Sequence, residues 1–415
     1  MKEVESQYNK WPYPKPILDM REAIKEGFFY DLPIKPFKKI IFPEGRDRDI
    51  SKILIAGCGT NQAVFYAMLH PESEIYGIDL SKASIQHNKA MIKKYNLKNL
   101  HVEQKDIFDI NYKNEFDIIC STGVIHHTKN PSEALKTLSR AGKKNCALIV
   151  AVYSLYLRYP IYYFQDIFRN LNLDQTTESL NFIKETLKNI PEKHPIRRYM
   201  TSSHDLLTDE GVIDTFLHKQ DKAFDTKSLK NLIGSSGLFF QTWFDNSYHY
   251  FNTKLNTDGA IKKNDTFYSK IQNLDYWERV EIAHTLSFGL GMFMFVLRKD
   301  KKFEFMWDDI HSLDEMTEVE HRPGIELIDK ANLAADFGGQ ISRSLTNSNL
   351  IHKFNAKEGI LWSSILDTQS NSIKDIMNRA NEFCSSNIIN IDYDLDYAKE
   401  FFHKMWKRGF IMFGK

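Results

Sequence analysis

Short apolar runs alternate with segments of helical periodicity from Ile53 to about Tyr153. Each run has the length of a β-strand, and the segment after it repeats apolar residues every three or four positions, as an amphipathic helix does. The predicted strands lie in the segments ILIA, EIYGID, LHVEQ, FDIICS and CALIVAVYS. Strands that alternate with helices form parallel sheets with right-handed crossovers, so the pattern predicts a doubly wound α/β fold.

The alternation stops at residue 156 and resumes at residue 225. Residues 156–224 are rich in aromatic and amphipathic stretches and are too long for a simple connection, so we predict a helical insertion that acts as a substrate lid. Two further strands are predicted in LFFQTWF and GMFMFVLRK. Residues 51–155 and 225–300 together then form a mostly parallel, Rossmann-like sheet of seven strands.

The two ends of the chain have different patterns. Residues 1–50 contain the cluster QYNKWPYPKP, whose prolines favour an extended arm. Two interpretations stay open, a structural arm packed on the core or a flap over a pocket with Tyr8 or Tyr13 touching a ligand. Residues 301–349 are charged and without periodicity, which indicates a linker with short helices. Residues 350–415 have two helical patterns followed by FIMF, which predicts a small winged-helix-like domain.

Composition and charge narrow the class of protein. The 415 residues carry a net charge of +1, which provides no broad field to attract nucleic acid or an anionic membrane. Residues 350–415 hold nine Lys and Arg against eight Asp and Glu, so no nucleic-acid partner is expected there either. The four cysteines are widely separated, and no apolar stretch has the length of a membrane span. We therefore expect a cytoplasmic protein without membrane insertion.

A glycine-rich turn, Gly57-Cys58-Gly59-Thr60-Asn61, directly follows the first predicted strand. Glycine lets the backbone bend sharply and approach a ligand, and the helix that follows points its N–H groups toward the turn. The turn is therefore typical of a nucleotide-type cofactor site. A dinucleotide fingerprint requires a third glycine where this chain has Gln62, which disfavours a nicotinamide-dependent oxidoreductase.

The turn and the residues after it resemble the class I S-adenosylmethionine-dependent methyltransferases. The resemblance covers about residues 50–155 and 225–298: the loose G-x-G-(T/S)-G turn, Asp79 at the end of strand two, Asp106 after strand three, and the FDIICSTGVIHH segment. Asn61 replaces the usual third glycine, and asparagine tolerates a positive φ better than most residues.

The resemblance implies S-adenosylmethionine as cofactor. Asp79 would accept hydrogen bonds from the ribose hydroxyls, Asp106 would accept from the adenine amino group, and Ile107 would pack on the adenine ring. The predicted cofactor-binding residues are Gly57, Cys58, Gly59, Thr60, Asn61, Asp79, Leu80, Asp106, Ile107 and Gly123.

Methyl transfer from a sulfonium depends mainly on positioning, and a general base is needed only when the nucleophile arrives protonated. His126, His127 and Tyr153 follow strands four and five and are the catalytic candidates, although the histidines would equally suit a role in lining the pocket. Tyr13 and His218 are the candidates for substrate contact, with a solvated turn as the alternative for His218. No metal is expected, since the histidines show no ligand spacing.

The sequence thus predicts an S-adenosylmethionine-dependent methyltransferase that acts on a small molecule or a protein side chain. The alternative is a regulatory protein that binds the cofactor without turnover. The C-terminal domain would serve dimerisation, substrate docking or regulation, and a homodimer through this domain is one of these options.

Overall fold

The computed structural model describes residues 2–26, 34–45, 49–250, 265–287, 289–301, 307–327, 339–345, 348–366 and 371–415. Contacts divide the chain into two compact units. The first unit consists of Met1–Pro33, Asp49–Phe240 and Phe288–Lys302, and the second of Ile34–Arg48, Gln241–Ser287 and Phe303–Lys415. The boundaries predicted from the sequence stay predictions, and parts of the predicted arm (27–33, 46–48) and linker (302–306, 328–338, 346–347) lie outside the described residues.

A seven-stranded sheet forms, as predicted. Its strands are β1 (Lys52–Ala56), β2 (Glu74–Asp79), β3 (Leu100–Gln104), β4 (Phe116–Thr122), β5 (Gly142–Tyr153), β6 (Phe239–Trp243) and β7 (Met292–Arg298). The strand order is β3-β2-β1-β4-β5-β7-β6, with β1 to β5 and β7 in the first unit. The neighbouring strands in the run β3-β2-β1-β4-β5 pair in parallel, whereas β7 pairs antiparallel with β5. The central strands β1 and β4 are almost entirely buried because helices cover both faces.

The helices of the first unit lie before β1 or between later strands of the chain. They are Lys2–Lys10, Met20–Lys25, Gln62–Leu69, Lys82–Tyr95, Pro131–Ala141, Leu155–Asn170, Thr177–Lys188, Ile196–Ser202, Asp209–Phe216 and Thr226–Ser236. The helix Lys82–Tyr95 begins at Ser81, whose hydroxyl accepts from Ser84 N–H, and ends at Asn96 in the left-handed region. Because β1 to β5 are parallel, their carboxyl ends lie at one edge of the sheet, where a ligand site is expected.

The N-terminal arm differs from its prediction. Residues 2–10 form a helix instead of an extended segment, with acidic residues in the first turn and Lys10 in the last. The prolines at 12, 14 and 16 restrict only themselves and the residues before them, so their influence does not reach this helix. The extended part of the arm begins after Lys10.

Residues 155–224 form a helical layer with its own core. The buried core residues of this layer are Leu157, Ile161, Phe164, Phe168, Leu180, Ile183, Leu187, Ile196, Tyr199, Val212, Ile213, Phe216 and Leu217. Several of the aromatic residues that the sequence places in this segment therefore fill the layer's interior. The helix Asp209–Phe216 is buried along most of its length, so any polar side chain on it lies inside the unit.

The second unit contains its own strands and helices. Its strands are β8 (Glu318–His321), β9 (Ile325–Leu327), β10 (Gln340–Leu345), β11 (Ser348–Lys353) and β12 (Ile411–Gly414), and its helices are Lys38–Ile41, Asp265–Gln272, Tyr276–Ser287, Ala356–Ser363, Ile373–Ser386 and Leu395–Lys407. β12 pairs antiparallel with β8, and β10 pairs antiparallel with both β9 and β11.

The described part of 301–349 is therefore not an irregular linker with short helices, since it contains β8, β9 and β10. These strands give little periodic signal because each is short and carries charged residues, as in β8, where Val319 is buried between two glutamates. The predicted winged-helix-like arrangement of 350–415 is not confirmed. The FIMF segment does form a strand, but its partner β8 lies before residue 350.

Within the described ranges, no helix combines the length and the apolar character needed to cross a lipid bilayer. The weakly charged stretch 146–164 is divided between β5 and the helix Leu155–Asn170. That helix carries a buried arginine, Arg158.

Candidate active site

The turn after β1 has the conformation that its glycines allow. Gly57 and Gly59 have φ angles of +80° and +52°, in the region that residues with a Cβ rarely adopt. A Cβ on Gly57 would also overlap the side chain of Val124, with Val124 Cγ1 at 2.7 Å. The N–H groups of Gly57 and Cys58 both donate to Ile78 O, at 2.8 and 2.9 Å, which ties the turn to β2.

Asp79 holds the second half of the turn. Its Oδ2 accepts from Gly59 N–H at 2.8 Å and its Oδ1 accepts from Ser81 N–H at 2.8 Å. Burial raises the pKa of Asp79, while these two backbone hydrogen bonds oppose the increase. Asn88, fully buried on the helix after β2, donates to Gly59 O at 2.8 Å and fixes the turn from its other side.

Asp106 lies two residues after the end of β3 and begins a short 3-10 turn by accepting from Phe108 N–H at 3.0 Å. The second carboxylate oxygen has no hydrogen bond within the described residues, and burial raises the pKa of this carboxyl group. Ile107 is buried beside it. Both residues line a cavity together with Leu80 and Gly123.

Asn61 differs from the expectation drawn from the sequence. Its φ is −122°, so the turn does not require a left-handed residue at this position. The side chain is 1% exposed and binds the N-terminal arm, since Asn61 Oδ1 accepts from Ile17 N–H at 2.9 Å and Nδ2 donates to Lys15 O at 3.0 Å. Thr60 Oγ1 likewise donates to Pro14 O at 2.6 Å. Thr60 and Asn61, which were expected to bind a cofactor, therefore attach the arm to the turn.

The cavity has a volume of about 260 Å³, close to the lower end of the range of small-molecule sites. Two groups of lining residues are distinguished below. The glycine wall consists of Gly57, Cys58, Gly59, Asp79, Leu80, Asp106, Ile107 and Gly123, and the tyrosine wall consists of Tyr8, Tyr13, His127, Tyr153 and Asp205. The first group comes from the ends of β1 to β4, and the second from the arm, the ends of β4 and β5, and the helical layer.

Two buried or partly buried carboxylates hold the hydroxyl groups of the tyrosine wall. Tyr8 donates to Asp214 Oδ1 at 3.0 Å, and Tyr153 donates to Asp214 Oδ2 at 3.2 Å. Tyr13 donates to Asp205 Oδ1. Burial, followed by the nearby carboxylates, holds the pKa of each of these three tyrosines well above its ordinary value, so the hydroxyls stay protonated.

The histidines near this wall have tautomers that their partners determine. His218 Nδ1 accepts from Gln220 N–H at 2.9 Å, so its Nε2 carries the hydrogen and donates to Tyr8 Oη at 3.1 Å. His127 Nδ1 donates to Gln220 O at 2.9 Å, which leaves a lone pair on Nε2 of the neutral ring. The two rings stack with centroids 3.8 Å apart. His218 is buried and is not in the solvated turn considered as an alternative.

His127, Asp214 and His218 each have one ligand atom within 4.8 Å of the others, a spacing that one metal ion would allow. The hydrogen bonds do not suit a metal, however. A neutral His218 could coordinate through Nε2 only if its hydrogen moved to Nδ1, which would then face the N–H of Gln220. Asp214 and His218 are four residues apart, a spacing that the sequence reasoning did not use, whereas His127 comes from a distant segment.

His126 lies behind the tyrosine wall and not among the residues that line the cavity. It is fully buried, accepts from Tyr153 N–H at 3.4 Å, and packs on the Tyr153 ring with centroids 3.8 Å apart. Burial lowers its pKa well below 6.5. The guanidinium of Arg158 also lies 3.4 Å from the centroid of the Tyr153 ring and pairs with buried Asp221 at 3.3 Å.

Most of the predicted site residues therefore meet at one cavity. His127, Tyr153 and Tyr13 line it, as does every predicted cofactor residue except Thr60, whereas His126 and His218 stand behind the lining residues. Sequence reasoning missed Asn88, Asp205 and Asp214. Asp214 does carry a weak signal, because it is an acidic residue in the otherwise apolar sequence GVIDTF, but Asp205 in SSHDLL has none.

Comparisons with known proteins agree with this architecture. Residues 48–202 match the model of a methyltransferase domain. An uncharacterized protein of Synechococcus sp. is 26% identical over 266 residues, which are 62% of this chain and 62% of the relative. Ribosomal RNA small subunit methyltransferase G of Prochlorococcus marinus is 32% identical over 115 residues, 26% of this chain and 46% of that protein. The chain thus matches less than two thirds of the length of either relative.

The structure of PKMT2 from Rickettsia typhi in complex with AdoHcy has a similar fold, with a TM-score of 0.62 at 14% identity. The match covers 93% of this chain and 76% of that one. A second structure of PKMT2 from Rickettsia typhi gives a TM-score of 0.60 at 15% identity, and the match covers 92% of this chain and 75% of that one. At this level of identity the similarity concerns the fold.

Proposed function

We propose that the protein is a class I S-adenosylmethionine-dependent methyltransferase that binds S-adenosylmethionine in the cavity and methylates an acceptor held by the tyrosine wall. The match of residues 48–202 to the model of a methyltransferase domain supports this proposal. The observation that carries this proposal is that both walls line the same cavity. A cofactor on the glycine wall would therefore have its reactive end within reach of polar groups that can orient an acceptor.

The residues of the glycine wall fit the cofactor. Positive φ angles at Gly57 and Gly59 let the backbone approach a ligand, and a carboxylate at Asp79 suits the ribose hydroxyls. The carboxylate oxygen of Asp106 that does not bind Phe108 N–H would accept from the adenine amino group, with Ile107 against the ring. When bound, the cofactor supplies an activated methyl group on a sulfonium.

The residues of this chain then supply position, proton transfer and exclusion of water. The Tyr13 and Tyr153 hydroxyls, fixed by Asp205 and Asp214, would hold the acceptor, and such positioning is worth on the order of 7–11 kcal/mol. His127 would take a proton on Nε2, since Gln220 O fixes its tautomer. The arm, attached by Asn61, would cover the bound cofactor.

Binding and turnover are tested separately. We expect calorimetry to show that the full chain binds S-adenosylmethionine and S-adenosylhomocysteine, and we expect release of S-adenosylhomocysteine when a cell extract is added. Fractionation of the extract by size then distinguishes a small-molecule acceptor from a protein. Absence of binding would reject the proposal, whereas binding without turnover on either fraction would favour a regulatory cofactor-binding protein.

The proposal also covers the role of the C-terminal residues. We propose that residues 350–415 serve substrate docking, regulation or formation of a homodimer in a cytoplasmic enzyme, and that nucleic acid is not their partner. The near balance of nine basic and eight acidic residues in 350–415 supports the last point. Sedimentation of the full chain tests the dimer.

A further inference from the structure

We propose that the acceptor is an amine, which enters the cavity as an N–H donor and is methylated on nitrogen. This inference rests on the proposed methyltransferase function and adds the chemical class of the substrate. It follows from the hydrogen-bonding capacity and the charge of the tyrosine wall.

The hydroxyl groups of the tyrosine wall can only accept hydrogen bonds from a ligand. A tyrosine hydroxyl has one hydrogen, and those of Tyr8, Tyr13 and Tyr153 are directed to Asp214 or Asp205. The oxygen of Tyr8 also receives the Nε2 hydrogen of His218. What each hydroxyl offers to a ligand is an oxygen lone pair.

The other side chains of this wall have the same polarity. His127 donates its Nδ1 hydrogen to Gln220 O, so the neutral ring presents the Nε2 lone pair. Asp205 is a carboxylate that accepts from Tyr13 and from Ser203, at 3.1 Å for the latter. Thr128, the next lining residue along the chain, donates its hydroxyl hydrogen to Ile125 O at 2.7 Å. A ligand rich in donors satisfies such a surface, and a ligand rich in acceptors does not.

Charge and aromatic faces favour the same ligand. Asp205 lines the cavity and Asp214 lies directly behind Tyr8 and Tyr153, whereas the nearby Arg158 is paired with Asp221. The tyrosine rings add faces that attract a cation. The lining cation Lys105 follows β3 next to Asp106, in the glycine wall's part of the chain, and pairs with Glu103 at 2.9 Å.

The methylation step balances without a further reactant. A bound ammonium group first loses a proton, for which His127 Nε2 is an available acceptor. The nitrogen lone pair then forms the new N–C bond while the C–S bond breaks and its electron pair stays on sulfur. The products are a methylammonium group and a neutral thioether. A carboxylate acceptor would instead place a third negative charge beside Asp205 and Asp214.

Blocking the amines of the acceptor tests the inference. The size fraction of cell extract that supports release of S-adenosylhomocysteine is treated with acetic anhydride, which acetylates amines, or with a carbodiimide and ethanolamine, which blocks carboxylates. We expect acetylation to reduce methyl transfer by about tenfold or more, and carboxylate blocking to leave it unchanged. The opposite pattern would overturn the inference while leaving the methyltransferase function intact.

The bond formed gives a second readout. With S-adenosylmethionine labelled on its methyl group, N-methyl products survive both acid and alkaline hydrolysis, whereas methyl esters release volatile methanol. Label on oxygen, sulfur or carbon would contradict the inference. Label in the small-molecule fraction indicates a free amine, and label in the protein fraction that appears as methyl-lysine after hydrolysis indicates a lysyl side chain.

Substitutions of the two carboxylates test whether the tyrosine wall binds the amine. Asp205→Asn keeps the side-chain size and removes the charge, so we expect KM for the acceptor to rise by about tenfold with a smaller change in kcat. S-adenosylhomocysteine binding should persist, which separates this effect from unfolding. Asp214→Asn should act in the same direction as a positioning variant. Asp209→Asn, at an exposed residue four positions from Asp205, is the matched control. If Asp205→Asn and Asp214→Asn had the same KM for the acceptor as the control Asp209→Asn, the assignment of the acceptor site to the tyrosine wall would be overturned.

Discussion

The glycine wall is built largely from backbone groups and short motifs, and each motif directly follows a strand of the sheet. The tyrosine wall is built from side chains that meet from far along the chain, such as Tyr8 with Asp214 and Tyr13 with Asp205. The first wall therefore depends on local conformation, and the second on the packing of the arm and the helical layer. Under the proposed function, the acceptor site can therefore change its chemistry while the cofactor site keeps its local conformation.

The largest expected effect tests the glycine wall through Asp79→Asn. The carboxylate accepts from Gly59 N–H and Ser81 N–H and would also bind the ribose, so its loss should weaken S-adenosylhomocysteine binding by about 3 kcal/mol, or about two orders of magnitude. Calorimetry measures the change. Asp109→Asn, three residues after Asp106 and exposed, serves as the control. An unchanged affinity would mean that the cofactor does not lie on this wall.

Gly57→Ala tests the backbone part of the same wall. The new Cβ would overlap Val124 at a φ of +80°, so we expect a loss of unfolding free energy of about 1–3 kcal/mol and a tenfold or greater loss of S-adenosylhomocysteine affinity. Thermal unfolding and calorimetry report the two effects. The double variant with Val124→Ala removes the overlap but not the strained φ, and should recover only part of the loss.

Gly234→Ala is the control for this substitution. Its Cβ meets nothing within 4 Å, and its position in the helix Thr226–Ser236 makes alanine neutral or slightly stabilising. Full recovery in the Gly57→Ala and Val124→Ala double variant would show that the turn does not depend on a positive φ.

The two walls also differ in how far the sequence predicts them. The glycine wall can be predicted from the sequence because its signals are local: an apolar strand, two glycines and an acidic residue at a strand end. Tyr13, His127, Tyr153 and His218 were named singly, but the partners that organise them, Asp205 and Asp214, come from the helical layer and leave almost no local signal. The role of Asn61 was missed for the same reason, since its partners at 15 and 17 are distant in the chain.

Acid should affect the tyrosine wall through its buried histidines. Burial lowers the pKa of His126 well below 6.5, so the unfolded chain binds a proton that the folded chain does not. Stability is therefore full above about pH 6.5 and falls as the pH decreases toward the folded pKa, by at most about 1.4 kcal/mol per pH unit for this group. Denaturant unfolding between pH 7.5 and 5 measures the slope.

His126→Gln should reduce that slope, because it removes one group that must be protonated on unfolding. His101→Gln, at an exposed histidine of β3, controls for the loss of a surface ring. His218 contributes in the same direction, since burial also lowers its pKa well below 6.5. The same slope in wild type and His126→Gln would show that His126 is not buried in its neutral form.

The smallest expected effect concerns Asn61, which connects the two walls by attaching the arm to the glycine turn. Asn61→Gly removes two hydrogen bonds to the arm, but Thr60 still binds Pro14 and Ser81 Oγ still donates to Tyr8 O at 3.1 Å. We therefore expect S-adenosylhomocysteine binding to weaken only about three- to tenfold, mainly through faster dissociation, and the arm to be cleaved faster by trypsin.

Asn172→Gly separates this effect from backbone conformation. Asn172 has a φ of +53°, so glycine should be tolerated or slightly stabilising there, whereas Asn61 has a φ of −122° and gains nothing from glycine. If Asn61→Gly instead strengthened binding, the asparagine would be a strained substitute for glycine in the turn. Thr60, Ser81 and the carboxylates that bind Tyr8 and Tyr13 would then hold the arm over the cavity without Asn61.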